Sequence, residues 1–353
     1  MKSFFTICSN NYLAQAKVMV DSFLTFNPNY RAFVVICDEL RPEIDYSDVG
    51  GATVIWWKNI IGSSADDLID KYNIVELNTS IKPSVFKYLL SVFTEIKYLF
   101  YLDPDIEVFH SFTSLEENLE SWDILISPHV TGPVPIDNQS PEENVILNYG
   151  LYNLGFACVK ADSLNTESFL NWWEERTLNR CFNNLRDGYF VDQLWVNLAP
   201  IYFNKVKILK DLGVNVAPWN LHEREVTNKI GNTYLLQNGN PLLFYHFSSY
   251  KYSNHPTFSP FYNRVRFDNA PPLLVEIYDN YRKKLISKDI MFFSKIDYAY
   301  LKIVEEPKKV GMPKKIVFLF APPLSLKIYY HVKMFCLRLI IQSKTKLAPL
   351  FPE

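Results

Sequence analysis

Asp103 and Asp105 stand one residue apart in the stretch YLDPDIEVF, directly after the apolar run EIKYLF. Charged groups at the end of an apolar strand are costly unless they are solvated, paired or bound to a cation. In a strand, residues i and i+2 project to the same side. Two carboxylates on one side of a strand end suit Mn2+ or Mg2+, which takes oxygen ligands and keeps positions open for substrate phosphates. Such a cation can neutralise charge on a departing diphosphate. The plainer alternative is an aspartate turn with Pro104 as its corner.

Three further stretches carry chemistry. FVDQLWVN places Asp192, Gln193 and Asn197 at and along the start of an apolar helical face, where Asp192 could equally be an N-cap. His246 closes the apolar strand PLLFYHF; its imidazole suits a third ligand for Mn2+, or a structural hydrogen bond. NVAPWNLHER packs Asn215, Trp219, Asn220, His222 and Arg224 into one loop. Aromatic and amide groups in a loop suit sugar recognition, and a Trp there also serves to anchor the loop to the core.

The elements that must position these residues alternate. SFFTIC, RAFVVICD, ATVIWW, KYLFYLD and DILISP read as strands, and RAFVVICD is apolar on both faces. Between them, NYLAQAKVMVDSFLTFN, SADDLIDKYN with Ser64 as its N-cap, IKPSVFKYLLSVF with Pro83 at its start, and SLEENLESW read as helices. Further on, NYGLYNLGFACVK feeds a strand, ESFLNWWEERTLN is an amphipathic helix and DQLWVNL is helical. This βαβα order predicts an α/β fold with a mainly parallel sheet covered by helices on both faces. Ligands of such sheets sit at the carboxyl ends of the strands. The ends at Thr6 to Asn10, Asp38, and Asp103 with Asp105 are expected to converge on one crevice.

The chain has 353 residues, 48% of them hydrophobic, enough for a large core. A formal net charge of -2 excludes an electrostatic nucleic-acid binder. Five cysteines without a CxxC pair indicate neither a disulfide framework nor a zinc site. The N-terminus lacks the apolar region of a signal peptide, so the cytoplasm or the cytoplasmic face of a membrane is the expected location. From Pro307 to Pro352 there is no acidic residue, while lysines and Arg338 alternate with IVFLFAPPL and MFCLRLII. A basic, apolar tail suits an anionic membrane surface, and the alternative is a C-terminal helix packed on the core.

In the order IKPSVFKYLL, YLDPDIEVF, YNLGFACVK, FVDQLWVN, NVAPWNL and YHFSSY, the sequence resembles GT-A-fold glycosyltransferases. It is most similar to the bacterial surface-glycan transferases related to glycosyltransferase family eight, the glycogenin and lipopolysaccharide galactosyltransferase group. The resemblance covers roughly residues 1–262, the expected catalytic domain, and leaves 263–353 as a helical extension. It implies that Asp103, Asp105 and His246 hold Mn2+ or Mg2+. It implies that Thr6 and Tyr12 hold the nucleotide base, and that Lys82 and Lys87 lie on the helix that supplies a basic residue to the donor. Asn153 and Gly155 match the strand beside the donor sugar, and Asp192, Gln193 and Asn197 match the segment near the anomeric carbon. Asp38, Trp219, Asn220 and Ser248 complete the expected donor-binding set.

The sequence departs from the family at Leu194, where an acid is common, and at YKYSNHP, which replaces Lys-Pro-Trp after the histidine. Lys251 is the expected substitute for the missing diphosphate contact. The expected activity is transfer of a sugar from a nucleotide-diphosphate donor, a UDP-sugar, to a surface-glycan or lipid-linked acceptor, with retention and with Asp192 and Gln193 as the catalytic residues. An inverting reaction would need a carboxylate base, a role open to Asp192. Two alternatives share the fold. A sugar-nucleotide-forming nucleotidyltransferase would show a Gly-rich loop after the first strand, and CSNNYLAQAK has no glycine. A non-catalytic glycan-binding protein would favour an eroded DxD, and both aspartates are present.

Overall fold

The computed structural model describes residues 1–301. The basic tail, with Cys336, lies outside the described residues. The chain opens with β1 (Lys2–Cys8), crosses over by α1 (Leu13–Phe26) to β2 (Tyr30–Ile36) and continues to β3 (Thr53–Trp56). Four helices follow: α2 (Lys58–Ile61), α3 (Ala65–Lys71), α4 (Ile74–Ser80) and α5 (Lys82–Val92). They lead to β4 (Tyr98–Leu102), which returns to the free side of β1 with Lys2 opposite Tyr98. Next come β5 (Ile106–Val108), α6 (Thr113–Ser121), β6 (Ile124–Pro128), α7 (Glu143–Tyr149), β7 (Tyr152–Lys160) and α8 (Leu164–Arg180). A small hairpin of β8 (Asn183–Asn184) and β9 (Tyr189–Phe190) precedes α9 (Gln193–Val196), α10 (Ala199–Tyr202) and the edge strand β10 (Val206–Ile208). A second hairpin, β11 (Val226–Ile230) with β12 (Thr233–Leu236), then β13 (Phe244–His246), α11 (Pro272–Ser287) and α12 (Ile290–Phe293), complete the described chain.

The central sheet has seven strands in the order β10-β6-β7-β4-β1-β2-β3. Only β7 runs against its neighbours, and the other pairings are parallel. This is the mainly parallel, helix-flanked α/β sheet expected from the alternation. Side chains of a strand alternate between faces, so one strand feeds two cores. Ala32, Val34 and Ile36 join α1, α6 and α11 in one core, while Phe33 and Val35 join α5 and α8 in the other. Burying each of the valine, isoleucine and phenylalanine side chains contributes roughly 1.5–3 kcal/mol.

Local chemistry sets the helix boundaries. Asn73 starts α4 through a capping box: its side chain accepts from Val75 and Glu76 N–H groups, and Glu76 returns the contact to the Asn73 N–H. Ser64 occupies the N-cap position of α3 but makes no side-chain capping bond. The helix expected through DQLWVNL spans only Gln193–Val196. It ends at Asn197, whose side-chain oxygen accepts from the Leu151 N–H at 2.8 Å. Pro200 then opens the next short helix. Among the described residues, no helix is long and apolar enough to cross a membrane.

Candidate metal and donor site

The two aspartates do not sit in a strand. β4 ends at Leu102, and Asp103, Pro104 and Asp105 form the turn into β5, closed by Ile106 N–H donating to Asp103 O at 3.2 Å. The turn, rather than strand alternation, brings the carboxylates together. The Asp103 N–H donates to Gly155 O on β7 at 2.8 Å, and Asp105 O accepts from the Phe247 N–H at 2.9 Å. β13 pairs antiparallel with β5, and His246 lies opposite Ile106. That register delivers the imidazole to the turn. His246 Nε2 lies 3.1 Å from Asp105 Oδ1 and 3.7 Å from Asp103 Oδ2.

One potential ligand atom from each of the three residues falls within 4.8 Å of the others. The His246 side chain is 4% exposed, while those of Asp103 and Asp105 are 26% and 18% exposed, so the imidazole is buried and the carboxylates reach solvent. Burial pulls the His246 imidazole down, but Asp105 and then Asp103 outweigh it, so its pKa lies above the usual value. Two carboxylates facing one imidazole form a hard oxygen and nitrogen donor set, which fits Mn2+ and, less well, Mg2+.

The cluster lines a cavity of about 610 Å³ together with Asn153, Gln193, Trp219 and Ser248. Lys82, at the start of α5, reaches its floor. Its ammonium lies 2.9 Å from Asp192 Oδ2 and 3.8 Å from Asp103 Oδ1, and donates to Leu154 O at 2.9 Å. Burial pulls this ammonium down, and Asp192, then Asp103, more than compensate, so it stays protonated. Burial raises the Asp192 carboxyl above the usual range against the pull of Lys82. Val191, just before it, is held at φ 39°, a value rare for a β-branched residue. The Gln193 side-chain oxygen accepts from Asn153 Nδ2 and the Leu154 N–H, each at 3.3 Å, and its amide donates to Tyr149 O at 2.8 Å. Asn153 Oδ1 accepts from Gly155 N–H at 3.2 Å and Asn215 Nδ2 at 3.1 Å.

Gly155 is required by space. A Cβ there would lie 2.5 Å from His246 Cε1 and 2.8 Å from both Asn153 Oδ1 and His246 Nδ1. The Trp219 ring stands edge-on to His246, with centroids 5.3 Å apart, and its indole nitrogen is buried without a partner among the described residues. The His129 ring also packs against Trp219 at a steep angle, with centroids 5.3 Å apart. Burial holds its pKa down at about 4, so the ring is neutral. His129 was not anticipated, although it follows the apolar strand DILISP as Asp103 follows KYLFYL.

Other expected residues lie elsewhere. Thr6 is fully buried inside β1. The carboxylate of Asp38 accepts from the N–H groups of Asn10, Glu39 and Ala299, so the β2 end is closed by the chain itself and does not join the crevice. Asn220 is fully buried, accepting from the Ala217 N–H and donating to His129 O and Asn215 O. Asn197 binds the loop before β7, as described. Tyr12 and Lys251 line an adjoining cleft that shares Asp105 with the cavity. Lys87 pairs with Glu174 on the outer side of α5, with 38% of its side chain exposed. Exposed pairs contribute about 0–1 kcal/mol. Lys87→Ala is therefore expected to cost no more than about 1 kcal/mol in a urea titration and to leave nucleotide affinity unchanged; a large loss of affinity would return Lys87 to the site.

No protein-family model matches the chain. It is similar to the uncharacterized protein YfnF of Bacillus subtilis (strain 168), 31% identical over 174 residues, which is 49% of this chain and 56% of that protein. The chain spans about half the length of the curated relatives it matches. Among solved structures it is similar to the galactosyltransferase LgtC in complex with donor and acceptor sugar analogues: 14% identity, 80% of this chain, 95% of that one, TM-score 0.43. It is also similar to the bifunctional glycosyltransferase WbbM: 13% identity, 83% of this chain, 51% of that one, TM-score 0.49.

Proposed function

We propose that the chain is a metal-dependent glycosyltransferase that moves a sugar from a nucleotide-diphosphate donor, a UDP-sugar, to a surface-glycan or lipid-linked acceptor. The observation that carries this reading is the convergence of Asp103, Asp105 and His246 on one side of a cavity that also holds Lys82, Asn153 and Gln193. Asp103, Asp105 and His246 would hold a divalent cation, which would supply positive charge to the leaving diphosphate. Lys82 does not contact the leaving group freely; it fixes Asp103 and Asp192 in place. Asn153 and Gln193 present amides, pre-oriented by their mutual bond, to the donor sugar. Fixed dipoles of this kind stabilise developing charge without reorganising.

Asp192 bears on stereochemistry. An inverting transferase needs a carboxylate free to take the proton of the acceptor hydroxyl. The Asp192 side chain is 2% exposed and bound to Lys82, so it does not offer that base. This supports retention, the outcome implied by the family resemblance.

The test is calorimetric titration of UDP, CDP and GDP with and without Mn2+. Metal-dependent binding of UDP is expected, with at least a hundredfold loss in Asp105→Ala. Absence of any nucleotide binding with metal present would sink the transferase reading and bring forward a non-catalytic glycan-binding protein.

A further inference from the structure

A surface groove of about 730 Å³ lies between the second half of α8 and the short helices α9 and α10. Trp172, Trp195 and Tyr202 give it three rings, and Arg176, Asn179 and Arg180 give it hydrogen-bonding groups. The rings are held in place. Trp172 stands edge-on to Tyr202 with centroids 5.7 Å apart, and the Trp195 indole N–H donates to Arg180 O at 3.0 Å. Tyr202 is nevertheless 55% exposed, so its ring is offered to solvent. Arg176 pairs with Glu175 at 2.9 Å, while the Arg180 guanidinium has no partner among the described residues. Ring contacts link this groove to the cavity beside the metal cluster. The hairpin of β8 and β9 stands between the two. Its Phe190 lines the cavity and packs on Tyr149, with centroids 4.6 Å apart. Tyr189 precedes it in β9, so it projects to the opposite side, and it meets Trp195 at 6.1 Å.

Aromatic rings left in water at one place forgo burial energy, and such a patch marks an interaction site. The chemistry of this one is mixed. Sugar rings carry a face of C–H groups and a rim of hydroxyls. They ask for flat apolar surfaces against the first and fixed donors and acceptors against the second. The groove offers both, and its line of rings starts at the cavity where the sugar would be transferred. We infer that the groove binds an oligosaccharide, the part of the acceptor glycan that lies beyond its reacting end, with Tyr202 and Arg180 as specificity-determining residues. The acceptor is then an oligosaccharide rather than a single sugar. This assignment to the acceptor rests on the transferase reading above.

The test uses wild type, Tyr202→Ala and Arg180→Ala, both at exposed positions where folding is spared. The probes are chitohexaose, maltohexaose and hexagalacturonate, each compared with its single sugar by calorimetry and tryptophan fluorescence. At least one hexasaccharide is expected to bind wild type tenfold or more tightly than its single sugar. Each variant is expected to lose about tenfold in that affinity, the scale of one ring contact or one charged hydrogen bond. Mn2+-dependent UDP affinity stays at the wild-type level in both. If no hexasaccharide binds wild type, or both variants bind it as wild type does, the inference is overturned while UDP binding keeps the transferase reading. A dimer in sedimentation equilibrium that Tyr202→Ala dissolves would put a second copy of the chain in the groove and overturn it as well. Hexasaccharide binding without UDP binding sinks the transferase reading and the assignment to an acceptor with it, and upholds the groove as a glycan site.

Discussion

Gly155→Ala is expected to weaken Mn2+ binding by about 10- to 100-fold, the range seen when a group that orients a metal ligand is disturbed. The argument is steric. The new Cβ would sit 2.5 Å from His246 Cε1, closer than side-chain carbons approach one another. His246 cannot retreat freely, because it is 3% exposed and Trp219 stands against it. Gly155 is also held in place, since its carbonyl accepts from the Asp103 N–H. Overpacking of this kind costs about 1–3 kcal/mol and is relieved by moving side chains off their positions. The imidazole is the side chain that must move, and its Nε2 then leaves the two carboxylates. Paramagnetic resonance of free Mn2+ measures the loss. Gly132→Ala is the control, because a Cβ there meets only Glu223 Oε2 at 3.4 Å. Wild-type Mn2+ affinity in Gly155→Ala would mean that His246 is not a ligand.

The residue types that converge at this cluster were more legible in the sequence than their geometry. The alternation of strands and helices was legible because strands such as RAFVVIC are apolar on both faces, and only a sheet covered on both sides asks for that. The pair Asp103 and Asp105 was legible by residue type, but the strand reading was wrong. Pro104 favours a turn, and a turn joins the two carboxylates without strand periodicity. Lys82 and Lys87 lie on one helix about 140° apart at 3.6 residues per turn. Sequence could not choose between them, because the choice depends on which face of α5 meets β7. Thr6 failed for a related reason. Strand alternation puts it on the side of Phe4 and Cys8, which lies in the core under α1. Gln15 and Tyr281 line one cleft only because α11 packs on α1, so no local pattern could have brought them together.

Lys82→Met is expected to destabilise the protein by about 3–5 kcal/mol, the cost of leaving one charge of a buried pair without its partner. The Lys82 and Asp192 side chains are 3% and 2% exposed, and Lys82 also neutralises Asp103 and donates to Leu154 O. Methionine keeps most of the volume, so the loss reports charge rather than a cavity. The double variant Lys82→Met/Asp192→Leu should recover most of the stability, since an apolar pair of similar volume often replaces a buried ion pair at little cost. The two substitutions are therefore expected to be strongly non-additive. Guanidinium titration of the wild type, both single variants and the double variant gives the coupling. Nucleotide affinity separates structure from function: the double variant folds but loses the cation that steadies Asp103, so metal-dependent UDP binding stays weak. A cost below about 1 kcal/mol for Lys82→Met would be the scale of an exposed pair, and the buried anchor beneath the metal cluster would have to be abandoned.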